Sequence, residues 1–174
     1  MVSRRRYVVL LRAISNVSMK PFRDSIEEMG FTDVESYAAS GNLLFDARTT
    51  DARALERRIG RRFGTDAFVR TPTEMARVVA QDPLGAIVMF LERPPTTSRK
   101  RAFLDLDVRE PRPVLRGRTL YLSYPLLLRG RRTHLDVEDA LAVRGTFRTS
   151  RVVATLLARI SARTRDDQAR RTRR

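Results

Sequence analysis

Apolar residues along this chain fall alternately into unbroken runs and into stripes of helical period. Tyr7-Val8-Val9-Leu10-Leu11 is a run closed by Arg12, the pattern of a strand buried on both faces. Phe22, Ile26 and Met29 recur at helical spacing, which predicts a helix over about 19–29 with Ser18 as cap, Pro21 in the first turn and Gly30 as a left-handed stop. Residues 34–38 and 42–45 read as two short strands joined by Ala39-Ser40-Gly41 in a hairpin. Ala52, Leu55, Ile59 and Phe63 form the stripe of a second helix, capped by Thr50 and ended by Gly64. Ala67-Phe68-Val69 makes a fourth strand.

This order, strand-helix-strand-strand-helix-strand, is that of the ferredoxin-like or α/β-plait arrangement. There, strands one and three lie side by side and antiparallel, so Arg12 is expected beside Ser40, Gly41 and Asn42. Thr71-Pro72-Thr73-Glu74 is a capping box with Pro at the first helical position. Asp82-Pro83 breaks the helix it starts. The pattern then repeats. Residues 86–91 form a run, a short helix lies near 98–104, and 108–115 is a poor strand interrupted by Pro111 and Pro113. Residues 119–124 form a good strand, a helix follows Thr133, and 145–148 make a last strand. Val152, Val153, Leu156, Leu157 and Ile160 predict a closing amphipathic helix.

The expected class is therefore α+β, with two tandem ferredoxin-like subdomains over 1–82 and 83–162. Residues 163–174, nearly all Arg and polar, read as a disordered basic tail.

Charge changes the picture. The formal net charge is +15, and all but Lys20 and Lys100 of the 35 basic residues are Arg. Arginine gives bidentate phosphate contacts, so nucleic acid or another polyanion is the expected partner class. The competing reading is compositional, with guanidiniums merely solvating the surface. The predicted second helix carries Arg53, Arg57, Arg58, Arg61 and Arg62 on its outer side, and these are the candidate nucleic-acid-binding residues. With no cysteine there are no disulfides, thiolate metal sites or thiol catalysis. That suits a reducing cytoplasm. No apolar run approaches the roughly 20 residues of a membrane span.

Catalytic chemistry is sparse. His134 is the single histidine, and no Ser or Cys arrangement accompanies it. Asp105 and Asp107 alternate and would share one face of an extended backbone, yet a solvated strand entry explains them as well as a magnesium pair. Asp136, Glu138 and Asp139 suit the first turns of a helix through its dipole. No phosphate loop or dinucleotide fingerprint occurs, so no cofactor or metal is expected. The third strand, Asn42-Leu43-Leu44-Phe45, lacks the aromatics of RNA-recognition sheets, although Tyr121 and Tyr124 offer rings elsewhere.

Residues 7–12, Met29-Gly30-Phe31-Thr32-Asp33-Val34, residues 40–45, Leu120-Tyr121-Leu122-Ser123-Tyr124-Pro125 and the segment 148–156 together resemble the bacterial family catalogued as domain of unknown function 1697. The resemblance spans about 6–160, and Ser40-Gly41-Asn42 behind Arg12 is its most specific motif. It implies a tandem pair of α/β plaits and carries no assigned activity. The family usually has Gly after Arg12, where this chain has Ala13-Ile14-Ser15-Asn16-Val17-Ser18. The family tends to Lys where this chain has His134, and to Arg-Asn-Trp where it has Arg148-Thr149-Ser150. Arg12, Ser40, Gly41, Asn42 and Arg148 persist, and these are the candidate ligand-binding residues.

Two functions from different classes follow. One is a non-catalytic binding protein for nucleic acid or another polyanion. The other is a binding protein or enzyme for a small anionic metabolite or phosphate ester held at Arg12 and Ser40-Gly41-Asn42. A docking role for a protein partner ranks below both. The sequence does not choose between monomer and oligomer.

Overall fold

The computed structural model describes residues 4–49, 51–105, 112–123 and 134–172. The first unit is built on β1 (Arg5–Leu11), which pairs antiparallel on both sides. One neighbour is β3 (Asn42–Ala47), in register from Arg5 opposite Ala47 to Leu10 opposite Asn42. The other is β4 (Ala67–Arg70). With β2 (Thr32–Ser36) outside β3, the order is β2-β3-β1-β4. Two helices, α1 (Lys20–Glu28) and α2 (Ala52–Phe63), supply Ile26, Leu55 and Ile59 to a core shared with Tyr7, Val9, Leu11, Leu43 and Phe45. The alternate residues Val8, Leu10, Leu44 and Phe68 are buried as well. That double burial is why β1 reads as a continuous apolar run rather than an alternation.

The second unit repeats the connectivity. It contains β5 (Ile87–Leu91), α4 (Thr97–Leu104), β6 (Val114–Arg116), β7 (Thr119–Leu122), α5 (His134–Leu141) and β8 (Gly145–Thr149), after α3 (Pro72–Ala80). Its sheet order is β6-β7-β5-β8, again antiparallel throughout. Met89, Leu91, Phe103, Leu120, Leu122, Val137 and Leu141 form its core. The chain closes with α6 (Ser150–Thr172). Among the described residues there are thus two four-stranded antiparallel sheets and six helices.

Several local expectations meet their structural counterparts. Thr71 and Glu74 form the reciprocal capping box, with Glu74 N donating to Thr71 Oγ1 at 3.2 Å and Thr71 N to Glu74 Oε2 at 2.8 Å. Gly64 closes α2 in the left-handed region. Other caps move by one residue. Asp51 caps α2, its carboxylate accepting from Ala54 N at 3.0 Å, and Thr50, the expected cap, lies outside the described residues. Met19 occupies the N-cap position of α1 with no side-chain bond of its own, while Ser18 Oγ, one residue earlier, accepts from Lys20 N at 3.4 Å. The poor strand over 108–115 survives as the three residues of β6, immediately after Pro113, and 106–111 lie outside the described residues.

The C-terminal expectation is corrected more substantially. The segment from 163 onward, expected to be disordered, continues as helix to Thr172. No Gly or Pro interrupts 150–172, and Asp166 and Asp167 stand four residues before Arg170 and Arg171, a spacing that supports helix. The chain divides into two compact units, Met1–Arg77 with Ala154–Arg174, and Val78–Val153. The sequence reading divided it after 82 and kept residues up to 162 with the second half. Here the residues from Ala154 onward go with the first.

Candidate functional site

The end of β1 is held from both sides. Leu11 N donates to Gly41 O at 2.8 Å, which carries the β1–β3 pairing one step past Leu10 and Asn42. Arg12 turns to the other neighbour. Its N–H donates to Asp66 O at 2.9 Å, and its carbonyl accepts from Thr65 Oγ1 at 2.9 Å. The half-buried Arg12 therefore leaves the sheet at the level of Ser40 and Gly41, with its backbone fixed by the α2–β4 connection.

The hairpin partners are tightly built. Asn42 is fully buried and donates from Nδ2 to Tyr37 O and to Ser40 Oγ, both at 2.9 Å. Gly41 has φ +70°, and a Cβ there would lie 2.9 Å from Leu11 Cβ and from Ile14 Cβ. The motif thus has a structural cause at each position: Gly41 lets the hairpin touch β1, and Asn42 fastens the loop. Ala13 and Asn16, in the loop beyond Arg12, have φ of 56° and 54°. Ala13 occupies a conformation that a glycine adopts without steric cost. α1 begins at the far end of this loop, where Ser18 Oγ accepts from Lys20 N at 3.4 Å.

Arg148 belongs to the other unit. It lies on β8 opposite Val88 and is only 9% exposed. Its Nη1 donates to Thr146 Oγ1 at 2.8 Å and to Phe147 O at 2.6 Å. Desolvation by burial lowers its pKa to about 10, which leaves the guanidinium charged at neutral pH.

The five arginines of α2 divide into two groups. Arg53 pairs with Glu56 Oε2 at 2.9 Å. Arg58 donates to Met29 O at 2.5 Å and lies 4.9 Å over the Phe31 ring. Arg62 pairs with Glu28 and donates to Ser25 Oγ at 3.3 Å. These three fasten α2 to itself or to α1. Arg57 and Arg61 are exposed and make no hydrogen bond or ion pair among the described residues. Glu56, which reads in the sequence as the lone acid on a basic helix, accepts from Val69 N at 3.0 Å and from Arg70 Nη1 at 3.1 Å, so it anchors β4.

The basic residues outside the helix were harder to read. Arg6, inside an N-terminal Arg triplet, is buried and pairs with Asp46 Oδ1 at 3.1 Å and Glu35 Oε1 at 2.5 Å. Cross-strand pairing sets this up, since Arg6 stands opposite Asp46. Its neighbour Arg4 instead lines a groove of about 480 Å³ together with Arg48 and Arg58. The spacing of Arg4 and Arg48 in sequence carries no signal of this, because the strand pairing alone brings them together.

Other candidates recede. Asp105 ends α4 and faces Arg101 at 3.9 Å with both side chains exposed, and Asp107 lies outside the described residues. Glu138 Oε1 accepts from Gly145 N at 2.6 Å. His134 starts α5, and Tyr124 lies outside the described residues. No group of three or more His, Cys, Asp or Glu among the described residues is placed to hold a metal ion. No helix among them is long and apolar enough to cross a membrane.

A family profile described as "Protein of unknown function (DUF1697)" matches residues 4–121. No curated protein gives a match. Among solved structures, the conserved bacterial protein SP0830 from Streptococcus pneumoniae is similar in fold, with a TM-score of 0.65 at 17% identity over 91% of this chain and 99% of that one. At that identity the likeness concerns the fold alone.

Proposed function

The chain belongs to the DUF1697 family of proteins of unknown function, and from that footing we propose that it is a non-catalytic binding protein for nucleic acid or another polyanion, engaged through α2. The observation that carries this reading is the pair Arg57 and Arg61, exposed and without a hydrogen bond or ion pair among the described residues, in a chain of net charge +15. They stand one helical turn apart, a rise of about 6 Å, and present two uncommitted guanidiniums in a row. Arg53, Arg58 and Arg62 hold the helix in place around them and add to the local positive potential. We read each unit as an α/β plait, a reading supported by the sheet orders β2-β3-β1-β4 and β6-β7-β5-β8 and by helices after the first and third strands of each. A cysteine-free chain suits the reducing bacterial cytoplasm.

The test is fluorescence anisotropy with single- and double-stranded RNA and DNA, from about 50 mM to about 200 mM salt. Binding should weaken steeply as salt rises, and Arg57→Ala/Arg61→Ala should reduce both the affinity and the salt slope. No binding at the lowest salt refutes the reading.

A second reading places a small anionic metabolite or phosphate ester at Arg12 and Ser40-Gly41-Asn42. The positive φ of Ala13 and Asn16 favours it, because strained backbone is retained where the surroundings require it, often at ligand sites. Thermal-shift screening of phosphate esters against wild type and Arg12→Ala discriminates. Shifts unchanged by the substitution exclude this site.

A further inference from the structure

We propose that the groove walled by Arg4, Arg48 and Arg58 binds a compact phosphate-class anion with adjacent negative charges, of the pyrophosphate or nucleoside-diphosphate kind. The proposal is independent of polyanion binding along α2. The groove lies within the first unit and has a volume of about 480 Å³, in the range of small-molecule sites. Its walls come from four separate parts of the chain: Arg4 before β1, residues 46–49 at the end of β3, the α1–β2 turn, and Arg58 of α2.

The three guanidiniums differ in commitment. Arg58 is held by its bond to Met29 O and by its position over Phe31. Its charge at the C-terminal end of α1 also has a purely structural cause, compensating that end of the helix dipole. Such a cause does not extend to Arg4 and Arg48. Both are exposed, and neither makes a hydrogen bond or ion pair among the described residues. Both nevertheless line the same concavity as Arg58. One carboxylate, Asp46, shares the lining, but it is only 8% exposed and is paired with Arg6 at 3.1 Å. The groove therefore has an excess of positive charge with two donors uncommitted.

Its floor is closed by Phe31, which is buried beneath Arg58 and packs against Phe45 with ring centroids 4.8 Å apart and planes tilted by 36°. Beside it, a Cβ built on Gly30 would meet nothing within 4 Å, so the turn leaves open space. Paired guanidiniums bind phosphate oxygens bidentately, so adjacent charges on one ligand exploit Arg4 and Arg48 together better than a single carboxylate does.

The experiment is isothermal titration calorimetry of the full chain at about 50 mM salt with inorganic pyrophosphate, ADP, and adenosine as the uncharged control. We expect one site per chain for pyrophosphate and ADP, and none for adenosine. Arg4→Ala/Arg48→Ala should weaken binding at least about tenfold, the loss of roughly 1.4 kcal/mol or more. Arg57→Ala/Arg61→Ala should leave it unchanged, which separates this site from the α2 face. Amide NMR shifts on adding pyrophosphate should concentrate at Gly30, Phe31, Ala47 and Thr49, an outcome that needs no variant. Absence of binding to both anions, equal loss in the two double variants, or shifts centred elsewhere would overturn the proposal.

Discussion

Asn42 and Tyr37 bond each other twice: Asn42 Nδ2 donates to Tyr37 O at 2.9 Å, and Tyr37 N donates to Asn42 O at 3.1 Å. The side chain thus completes a two-bond closure of the hairpin, with a third bond to Ser40 Oγ. Because Asn42 is fully buried, removing its amide strands the Tyr37 carbonyl and leaves a small void. Asn42→Ala should destabilise the chain by about 1–3 kcal/mol, measured by urea denaturation. A change within about 0.5 kcal/mol, the size of an ordinary surface substitution, would show that the loop closes without this residue.

Gly41 and Gly64 allow a controlled comparison. Both have positive φ, +70° and +61°. At Gly64 nothing lies within 4 Å of a built Cβ, whereas at Gly41 it meets Leu11 Cβ and Ile14 Cβ at 2.9 Å and Leu11 O at 3.2 Å. Gly64→Ala should therefore cost only the left-handed strain, about 1–2 kcal/mol. Gly41→Ala adds overpacking against the strand, a further 1–3 kcal/mol or so. Thermal melts of the two variants test the difference, and equal melting temperatures would refute close contact between hairpin and β1.

Where the pattern in the sequence was strong, it tracked physical causes that act locally. The run Tyr7 to Leu11 reflects burial of β1 on both sides, and the Thr71–Glu74 box is realised atom for atom. Topology brings the end of β1 to the hairpin, with the last register pair, Leu10 opposite Asn42, two residues before Arg12 and the Leu11–Gly41 bond one residue before it. What stayed hidden depends on tertiary pairing. Arg4, Arg5 and Arg6 look alike in the sequence. Arg6, inside β1 and opposite Asp46, becomes its buried partner, while Arg4, just before the strand begins, opens on a groove. Among the α2 arginines, periodicity gave the outward face but not the partners that distinguish Arg58 and Arg62 from Arg57 and Arg61. Residues 163–172 carry no apolar stripe that would signal the helix running through them to Thr172.

Tyr121 makes stability depend on pH in the alkaline range. Its buried hydroxyl donates to Val78 O at 3.0 Å. Burial raises its pKa to about 12, with the Asp82 carboxylate adding to the rise and Arg116 opposing it. A folded-state pKa above the unfolded value near 10 means that the unfolded chain loses this proton first. The stabilisation is therefore complete below about pH 10 and is lost as pH rises towards about 12. Tyr121→Phe should be less stable than wild type at neutral pH by about 1 kcal/mol, and the gap should close between those two pH values. The difference isolates Tyr121 from Tyr7, whose pKa burial also raises. A gap that is constant with pH would refute this assignment.

The final prediction separates total charge from its placement. Residues 163–174 hold six arginines and two aspartates. Deleting them lowers the formal net charge from +15 to +11. Arg57→Ala/Arg61→Ala lowers it by only two, yet removes the uncommitted pair on α2. The deletion spares Ile160, which is buried, and Arg159, which pairs with Glu35 at 3.8 Å and lies 5.0 Å over the Tyr37 ring. The truncated chain should therefore melt within a few degrees of wild type, a shift corresponding to about 1 kcal/mol or less. If polyanion binding is organised by α2, the two-charge variant should lose more affinity for a single-stranded RNA than the four-charge truncation. Purely non-specific attraction predicts the reverse order, because counterion release scales with the number of phosphates neutralised. Anisotropy titrations of the two proteins at matched salt distinguish these outcomes, and the larger loss in the truncated chain would refute a binding face on α2.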